Sequence, residues 1–107
     1  MKFSHKYKKL SKPRLFTTIR NHDMYSAGDV VSMSEMGREF KGLCLLRVPS
    51  RFNEIPVELL RYDTDREDMD TSKMSKEQII DFIMSLYKRS DPPMPTDIVF
   101  IYLFQQI

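Results

Sequence analysis

The sequence predicts one α+β domain over residues 1–107, in which a small mixed β-barrel of five or six strands carries one main helix. Three observations predict this fold class. Residues 15–20 alternate in the way that a strand with two different faces does. Residues 97–104 consist of Asp97 followed by a continuous apolar run, which is typical of a strand buried on both faces. Residues 75–89 carry apolar side chains at three- and four-residue spacing, which is typical of an amphipathic helix.

The other strands follow from local patterns. Residues 1–7 alternate and form a candidate first strand. Residues 30–36 and 40–48 are two further strands, separated by a three-residue turn that begins with a glycine. Gly42 indicates a bulge or sharp bend within the second of these strands, and Pro49 is expected to end it.

Two helices are predicted after the strands. A short helix covers residues 56–62, with a proline at its start. The acidic segment 63–74 has few apolar groups and is expected to be a loop. The main helix, 75–89, then begins with a capping box in which Ser75 and Gln78 satisfy each other's backbone N–H groups.

Composition indicates an ordinary cytoplasmic globular domain. The chain has 41% hydrophobic and 30% charged residues, and no apolar run approaches the roughly 20 residues that a membrane helix needs. The N-terminal residues lack the apolar core of a secretory signal. Cys44 is the only cysteine, so no internal disulfide forms, and its apolar neighbours predict a small buried hydrophobe.

The charges are distributed asymmetrically. Residues 1–20 contain seven basic side chains and no acid, whereas residues 54–81 contain nine acids and four bases. A basic patch attracts phosphate backbones, although the net charge of +2 is too small for general binding to nucleic acid. The basic N-terminal segment, residues 1–20, therefore indicates a local anion-binding surface.

The candidate binding site lies in the strand–loop–strand segment 13–33. Thr18 and Arg20 are expected to project from one face of a strand, where a guanidinium fork and a hydroxyl hydrogen-bond a phosphate or a base edge. Nearby aromatic rings are candidates for stacking on unstacked bases, and nearby cations for contacting phosphates. The predicted ligand-binding residues are Lys12, Arg14, Phe16, Thr18, Arg20, His22 and Tyr25.

No metal or cofactor is expected. Neither His5 nor His22 has a second ligand at metal-binding spacing. The acidic segment 63–74 lacks the central glycine and terminal glutamate of a calcium loop.

A family resemblance depends on the same segment. Residues 18–20, Thr-Ile-Arg, are followed after a polar loop by residues 28–31, Gly-Asp-Val-Val. This pattern resembles the signature of the ASCH domains, small β-barrels related to the PUA RNA-binding domain. The resemblance implies a PUA-like barrel, and it implies RNA or a modified nucleoside as the ligand.

One branch of that family implies an enzymatic alternative. Its members are small amidohydrolases that act on N4-acetylcytidine through a Lys, a Thr and a Glu. The Thr matches Thr18, but the Lys position is occupied by Leu15, and the neighbouring Arg14 stays protonated and is a poor base. The departure at Leu15 favours binding without catalysis.

A third interpretation is a small protein-interaction or regulatory module, which the near-neutral net charge allows. A partly open sheet would then dimerise through its edge. The leading prediction remains a non-catalytic, monomeric RNA- or nucleoside-binding domain.

Overall fold

The computed structural model describes residues 1–3, 15–64, 71, 73–85 and 96–107, and it confirms a mixed α+β architecture. Residues 4–14, 65–70, 72 and 86–95 are outside the described residues. In chain order the elements are β1 (Lys2–Phe3), β2 (Leu15–Arg20), β3 (Val30–Glu35), β4 (Arg38–Arg51), a 3-10 turn (Phe52–Glu54), α1 (Val57–Thr64), α2 (Lys76–Ser85) and β5 (Ile98–Gln106).

Five described strands form one curled sheet in the order β1-β3-β4-β5-β2. The β1–β3 pair is parallel and the other pairs are antiparallel, so the sheet is mixed, as predicted. Phe3 and Phe16 belong to the two edge strands, yet their ring centroids are only 6.2 Å apart. The sheet therefore curls into a half-barrel whose edges approach each other across a concave face.

The concave face is filled with aromatic and sulfur-containing side chains. Phe16 stacks on Phe104 at 5.7 Å and meets Phe40 edge to face. Cys44 is buried in this cluster, as predicted, and burial raises the pKa of its thiol. The buried members are Phe3, Phe16, Val31, Met33, Cys44, Tyr102 and Phe104.

Both helices pack on the convex face, over the β2 and β5 end of the sheet. Their apolar stripes form a second core cluster with the alternate side chains of β5, and its buried members are Phe52, Ile55, Leu60, Ile79, Ile80, Ile83 and Val99. The predicted capping box is confirmed, because Ser75 N–H donates to Gln78 at 2.9 Å and Gln78 N–H donates to Ser75 at 3.2 Å. The last residues of the predicted helix, 86–89, lie outside the described residues.

The β3–β4 hairpin differs from the prediction in its turn. Met36 and Gly37 form a two-residue turn with φ of 48° and 89°, and β4 already begins at the next residue. Two positive φ values match the right-handed twist of the flanking strands. The predicted turn at residues 37–39 was therefore placed too late.

Gly42 does not mark a bulge. The register shift lies between Cys44 and Leu46, so Leu45 is the extra residue. Gly42 instead allows close packing, because a Cβ there would stand 2.7 Å from the Cε of Met33.

The expectation that Pro49 ends its strand was wrong. β4 continues to Arg51, and Pro49 pairs with Phe100. Because β3 reaches only as far as Leu43 along β4, this part of β4 has β5 on one side and no described strand on the other. Proline is tolerated where a missing N–H faces an open edge.

Other predicted elements are confirmed in part. β5 is apolar on both faces, although it lies between β4 and β2 rather than at the middle of the sheet. Of the predicted first strand, Lys2–Phe3 is described, and the rest lies outside the described residues. Neither described helix has the length and hydropathy needed to cross a bilayer.

Candidate ligand-binding site

The predicted face of β2 is confirmed. Thr18 pairs with Tyr102 and Arg20 pairs with Phe100, and both belong with Phe16 to the concave side of the sheet. Ile19, between them, packs against the helices on the other side. The alternation of the sequence therefore places the hydroxyl and the guanidinium inside the half-barrel.

Burial corrects two of the predicted ligand contacts. Phe16 is 1% exposed and Thr18 is 2% exposed. The Phe16 ring is enclosed by other aromatic rings, so it is a core side chain and not a stacking surface for a base. Thr18 lies beside Tyr102 in the same register, and its hydroxyl has no open access to a ligand in this conformation.

Arg20 is the accessible member of the face. It ends β2, it is half-buried, and its guanidinium carbon lies 5.5 Å from the ring centroid of Phe3. A cation over an aromatic ring is attracted by the ring quadrupole, which holds the side chain in one orientation. The Nε of Arg20 is buried and has no hydrogen-bond acceptor in the part of the chain that the structure describes.

The loop of residues 21–27 lies over the same end of the concave face, and Tyr102 holds it there. The Tyr102 hydroxyl accepts hydrogen bonds from the N–H groups of Met24 at 2.8 Å and Tyr25 at 3.4 Å. It donates to the carbonyl of His22 at 3.1 Å. The Tyr25 ring also meets Tyr102 edge to face at 5.6 Å, so the loop is tied to β5 through one buried side chain.

Gly28 and Asp29 fix the end of the loop. Gly28 has φ of 96°, in the region that favours glycine, and its N–H donates to the carbonyl of Cys44 at 2.7 Å. The Asp29 carboxylate accepts from the N–H of Ser26 at 2.8 Å. Residues 28 and 29 thus join the loop to β4 and start β3.

Arg47 is a further candidate for ligand binding that is not among the seven predicted residues. The extra residue Leu45 shifts the alternation of β4, so Arg47 shares the concave face with Cys44, and Leu46 turns outward. Its guanidinium carbon lies 5.6 Å from the ring centroid of Phe100. The bulge cannot be read from the apolar run in which it lies.

A carboxylate of the loop pairs with this second guanidinium. Arg47 Nη1 donates to Asp23 Oδ2, and the hydrogen bond and charge of Asp23 raise the pKa of Arg47. The Arg47 and Asp23 side chains are 36% and 50% exposed, so the pair lies at the surface.

Arg20 and Arg47 therefore flank Phe100 on the concave face, each on one of the two strands that neighbour β5. Arg20 is the strand partner of Phe100, and the ring of Phe100 lies beneath Arg47. Two guanidiniums fixed on aromatic rings present hydrogen-bond donors to an anion or to a base edge. Half-buried Tyr25 and Phe100 supply ring surface next to them.

The remaining predicted site residues have different positions. Lys12 and Arg14 lie outside the described residues. His22 is exposed in the loop, and Tyr25 packs against the concave core with part of its surface open. Of the seven predicted residues, the structure thus brings Arg20, His22 and Tyr25 to one accessible end.

Two grooves lined by described residues lie elsewhere on the molecule. One, of about 660 Å³, is formed by Met1, Lys2, Ser32, Met33, Ser34, Glu39, Phe40, Lys41 and Ile107. The other, of about 230 Å³, is formed by Asn53, Lys76, Glu77, Ile80 and Asp81. Neither includes a predicted site residue. Among the residues that the structure describes, no group of three or more His, Cys, Asp or Glu side chains is arranged to hold a metal ion.

Comparison of the chain with known protein families, with curated proteins and with solved structures finds no match. The function of this protein is therefore inferred from the chemistry of its own residues.

Proposed function

We propose that this chain is a PUA-like module, of the kind that the ASCH resemblance implies, which binds RNA or a modified nucleoside without catalysis. The binding site in this proposal is the end of the concave face that carries Arg20, Arg47 and the 21–27 loop. The observation that carries the proposal is Arg20, a half-buried guanidinium held over Phe3, whose Nε has no acceptor among the described residues.

The energetics of that donor favour a ligand with an acceptor atom. A buried hydrogen-bonding group without a partner costs about 1–3 kcal/mol, and more when the group is charged. A phosphate oxygen or a base carbonyl at Arg20 would remove this cost, because both accept from guanidinium N–H groups. Because this Nε is itself buried, a ligand recovers that free energy when the Arg20 side chain turns toward it.

The surroundings of Arg20 suit a nucleotide better than a simple anion. Single-stranded RNA is held by bases that lie on aromatic or arginine planes, with cations near the backbone. Tyr25 and Phe100 offer partly open rings, and Arg47 offers a second guanidinium plane on the same face. In this proposal Lys12 and Arg14 remain candidate phosphate contacts, while Phe16 and Thr18 shape the interior.

The amidohydrolase alternative finds less support. Its nucleophile or proton-transfer group would be Thr18, which is 2% exposed, and Leu15 stands where the related enzymes have their Lys. A catalytic group must lie within hydrogen-bonding reach of its substrate. Release of cytidine from N4-acetylcytidine, lost in Thr18→Ala, would reverse the ranking.

We also propose that the module acts as a monomer. Beyond Leu43, one edge of β4 has no strand partner among the described residues and is a place for strand addition, but this edge carries a bulge at Leu45, the charged Arg47 and Pro49. These are the features by which proteins prevent pairing at exposed edges. Solution scattering at several protein concentrations tests this, and a stable dimer would favour the interaction-module hypothesis.

The proposal is tested by fluorescence anisotropy with a labelled single-stranded RNA decamer at about 50 and about 200 mM salt. We expect the affinity to fall as salt rises, and Arg20→Ala to weaken binding by about tenfold or more, which corresponds to about 1.4 kcal/mol. Lys73→Ala is the matched control, because it removes one positive charge from an exposed position ahead of α2. The absence of binding at low salt, or an equal loss in both variants, would refute the proposal.

A further inference from the structure

In the proposed site, one of the two guanidiniums is already paired with a carboxylate of the protein itself, because Asp23 forms an ion pair with Arg47. We infer that the phosphate of a nucleotide ligand takes the place of Asp23 on Arg47, and that the 21–27 loop is a lid released by this exchange. This inference rests on the proposed function and names a phosphate-bearing nucleotide as the class of ligand.

The first support is the chemistry of the pair. Carboxylate and phosphate oxygens accept from the same guanidinium N–H groups, and arginine binds either of them with two parallel hydrogen bonds. Arg47 is held over the ring of Phe100, so its donors stay in place when the carboxylate leaves. The Arg47 guanidinium is therefore already oriented to donate hydrogen bonds to a phosphate.

The second support is the exposure of the pair. The Arg47 and Asp23 side chains are 36% and 50% exposed, so water and ions reach both. A surface ion pair of this kind shifts the equilibrium between the paired and the separated side chains by about two- to fivefold. A phosphate, with a charge near −2 and three acceptor oxygens, competes with a carboxylate held this weakly.

The third support is the way in which the loop is attached. Asp23 immediately precedes Met24 and Tyr25, whose N–H groups are bonded to the Tyr102 hydroxyl. Loss of the Asp23–Arg47 ion pair therefore removes a side-chain contact of the loop directly beside these backbone hydrogen bonds. The loop lies over Tyr102, which is the strand partner of the buried Thr18, so its release opens the concave face to the ligand.

The test compares Asp23→Asn with the wild type for cytidine 5′-monophosphate and for cytidine, by calorimetric titration. We expect Asp23→Asn to bind the monophosphate about two- to fivefold more tightly. Cytidine affinity should not change, because cytidine has no phosphate to compete for Arg47. Glu39→Gln is the matched control, because it removes one negative charge from an exposed residue on β4, about 26 Å along the strand from Arg47.

Hydrogen exchange of the loop provides an independent readout. We expect the amides of Met24 and Tyr25 to exchange faster in unliganded Asp23→Asn than in the wild type. The monophosphate should speed their exchange in the wild type, and cytidine should not. If the monophosphate does not bind measurably, the same variants are compared with the labelled RNA decamer.

The outcomes separate this inference from the proposed function. The lid is wrong if Asp23→Asn and the wild type bind the monophosphate with equal affinity, or if Glu39→Gln gains as much affinity as Asp23→Asn. Loss of RNA binding in Arg20→Ala would still support the binding site itself. A monophosphate that protects the loop amides instead of exposing them would also overturn the lid. If the wild type binds neither nucleotide nor RNA, both proposals are wrong.

Discussion

Tyr102→Phe removes one hydroxyl from the centre of the candidate site and leaves the ring in place. Tyr102 is fully buried, and its hydroxyl accepts from Met24 N–H at 2.8 Å and donates to the His22 carbonyl at 3.1 Å, with a longer contact to Tyr25 N–H at 3.4 Å. The two shorter bonds contribute about 0.5–1.5 kcal/mol each, so we expect the free energy of unfolding to fall by about 1–3 kcal/mol.

Two measurements check this prediction. Urea unfolding gives the free-energy difference, provided that the dependence on denaturant stays the same. Hydrogen exchange should show that the amides of Met24 and Tyr25 lose protection, while amides in α2 follow only the global change in stability.

Tyr62→Phe supplies a control with the same chemical change. The Tyr62 hydroxyl donates to the carbonyl of Leu15 at 3.3 Å, but this residue is exposed on α1. We expect a change within about 0.5 kcal/mol, as for most surface substitutions. If Tyr102→Phe is as mild as this control, and the loop amides keep their protection, then Tyr102 does not anchor the loop.

Two further predictions concern the concave core. Gly42→Ala places a methyl group 2.7 Å from Met33 Cε and 3.2 Å from Phe104, so we expect a loss of about 1–3 kcal/mol in urea unfolding; a neutral result would mean that Met33 repacks freely. Burial raises the pKa of the Cys44 thiol, so the folded chain keeps its proton where the unfolded chain loses it, above about pH 8.5. The free energy of unfolding should therefore fall as pH rises through that range, and this fall should be absent in Cys44→Ala. Parallel curves of stability against pH for the wild type and Cys44→Ala, from about pH 7.5 to about pH 9.5, would contradict the assignment.

Several elements could be predicted because their causes lie within a few residues. The capping box of Ser75 and Gln78 is a contact between neighbours in the chain, and Gly28 supplies a local backbone conformation. The alternation of β2 correctly places Phe16, Thr18 and Arg20 on one face. The mixed α+β class followed from these local patterns taken together.

The candidate site was predicted less completely, because accessibility is not a local property. Alternation places Thr18 and Arg20 on the same face, but only the curl of the sheet and the overlying loop decide that Thr18 is buried and Arg20 is half-buried. The side of Arg47 depends on one extra residue at Leu45, and nothing in an uninterrupted apolar run marks where a strand bulges. Asp23 meets Arg47 because the loop folds back over β4, which is a long-range contact.

Local patterns in the sequence located most of the described strands and helices, although not the two ends of β4, and they assigned the side of β2 that carries the polar site residues. The reason is that the repeats of strands and helices are only a few residues long, so the side-chain pattern within one element follows directly from the local sequence. Only the folded chain shows that Arg20 and Arg47 flank Phe100 and that a loop carboxylate pairs with Arg47. The reason is that strand register, the bulge and the closure of the half-barrel are set by packing between segments distant in the chain.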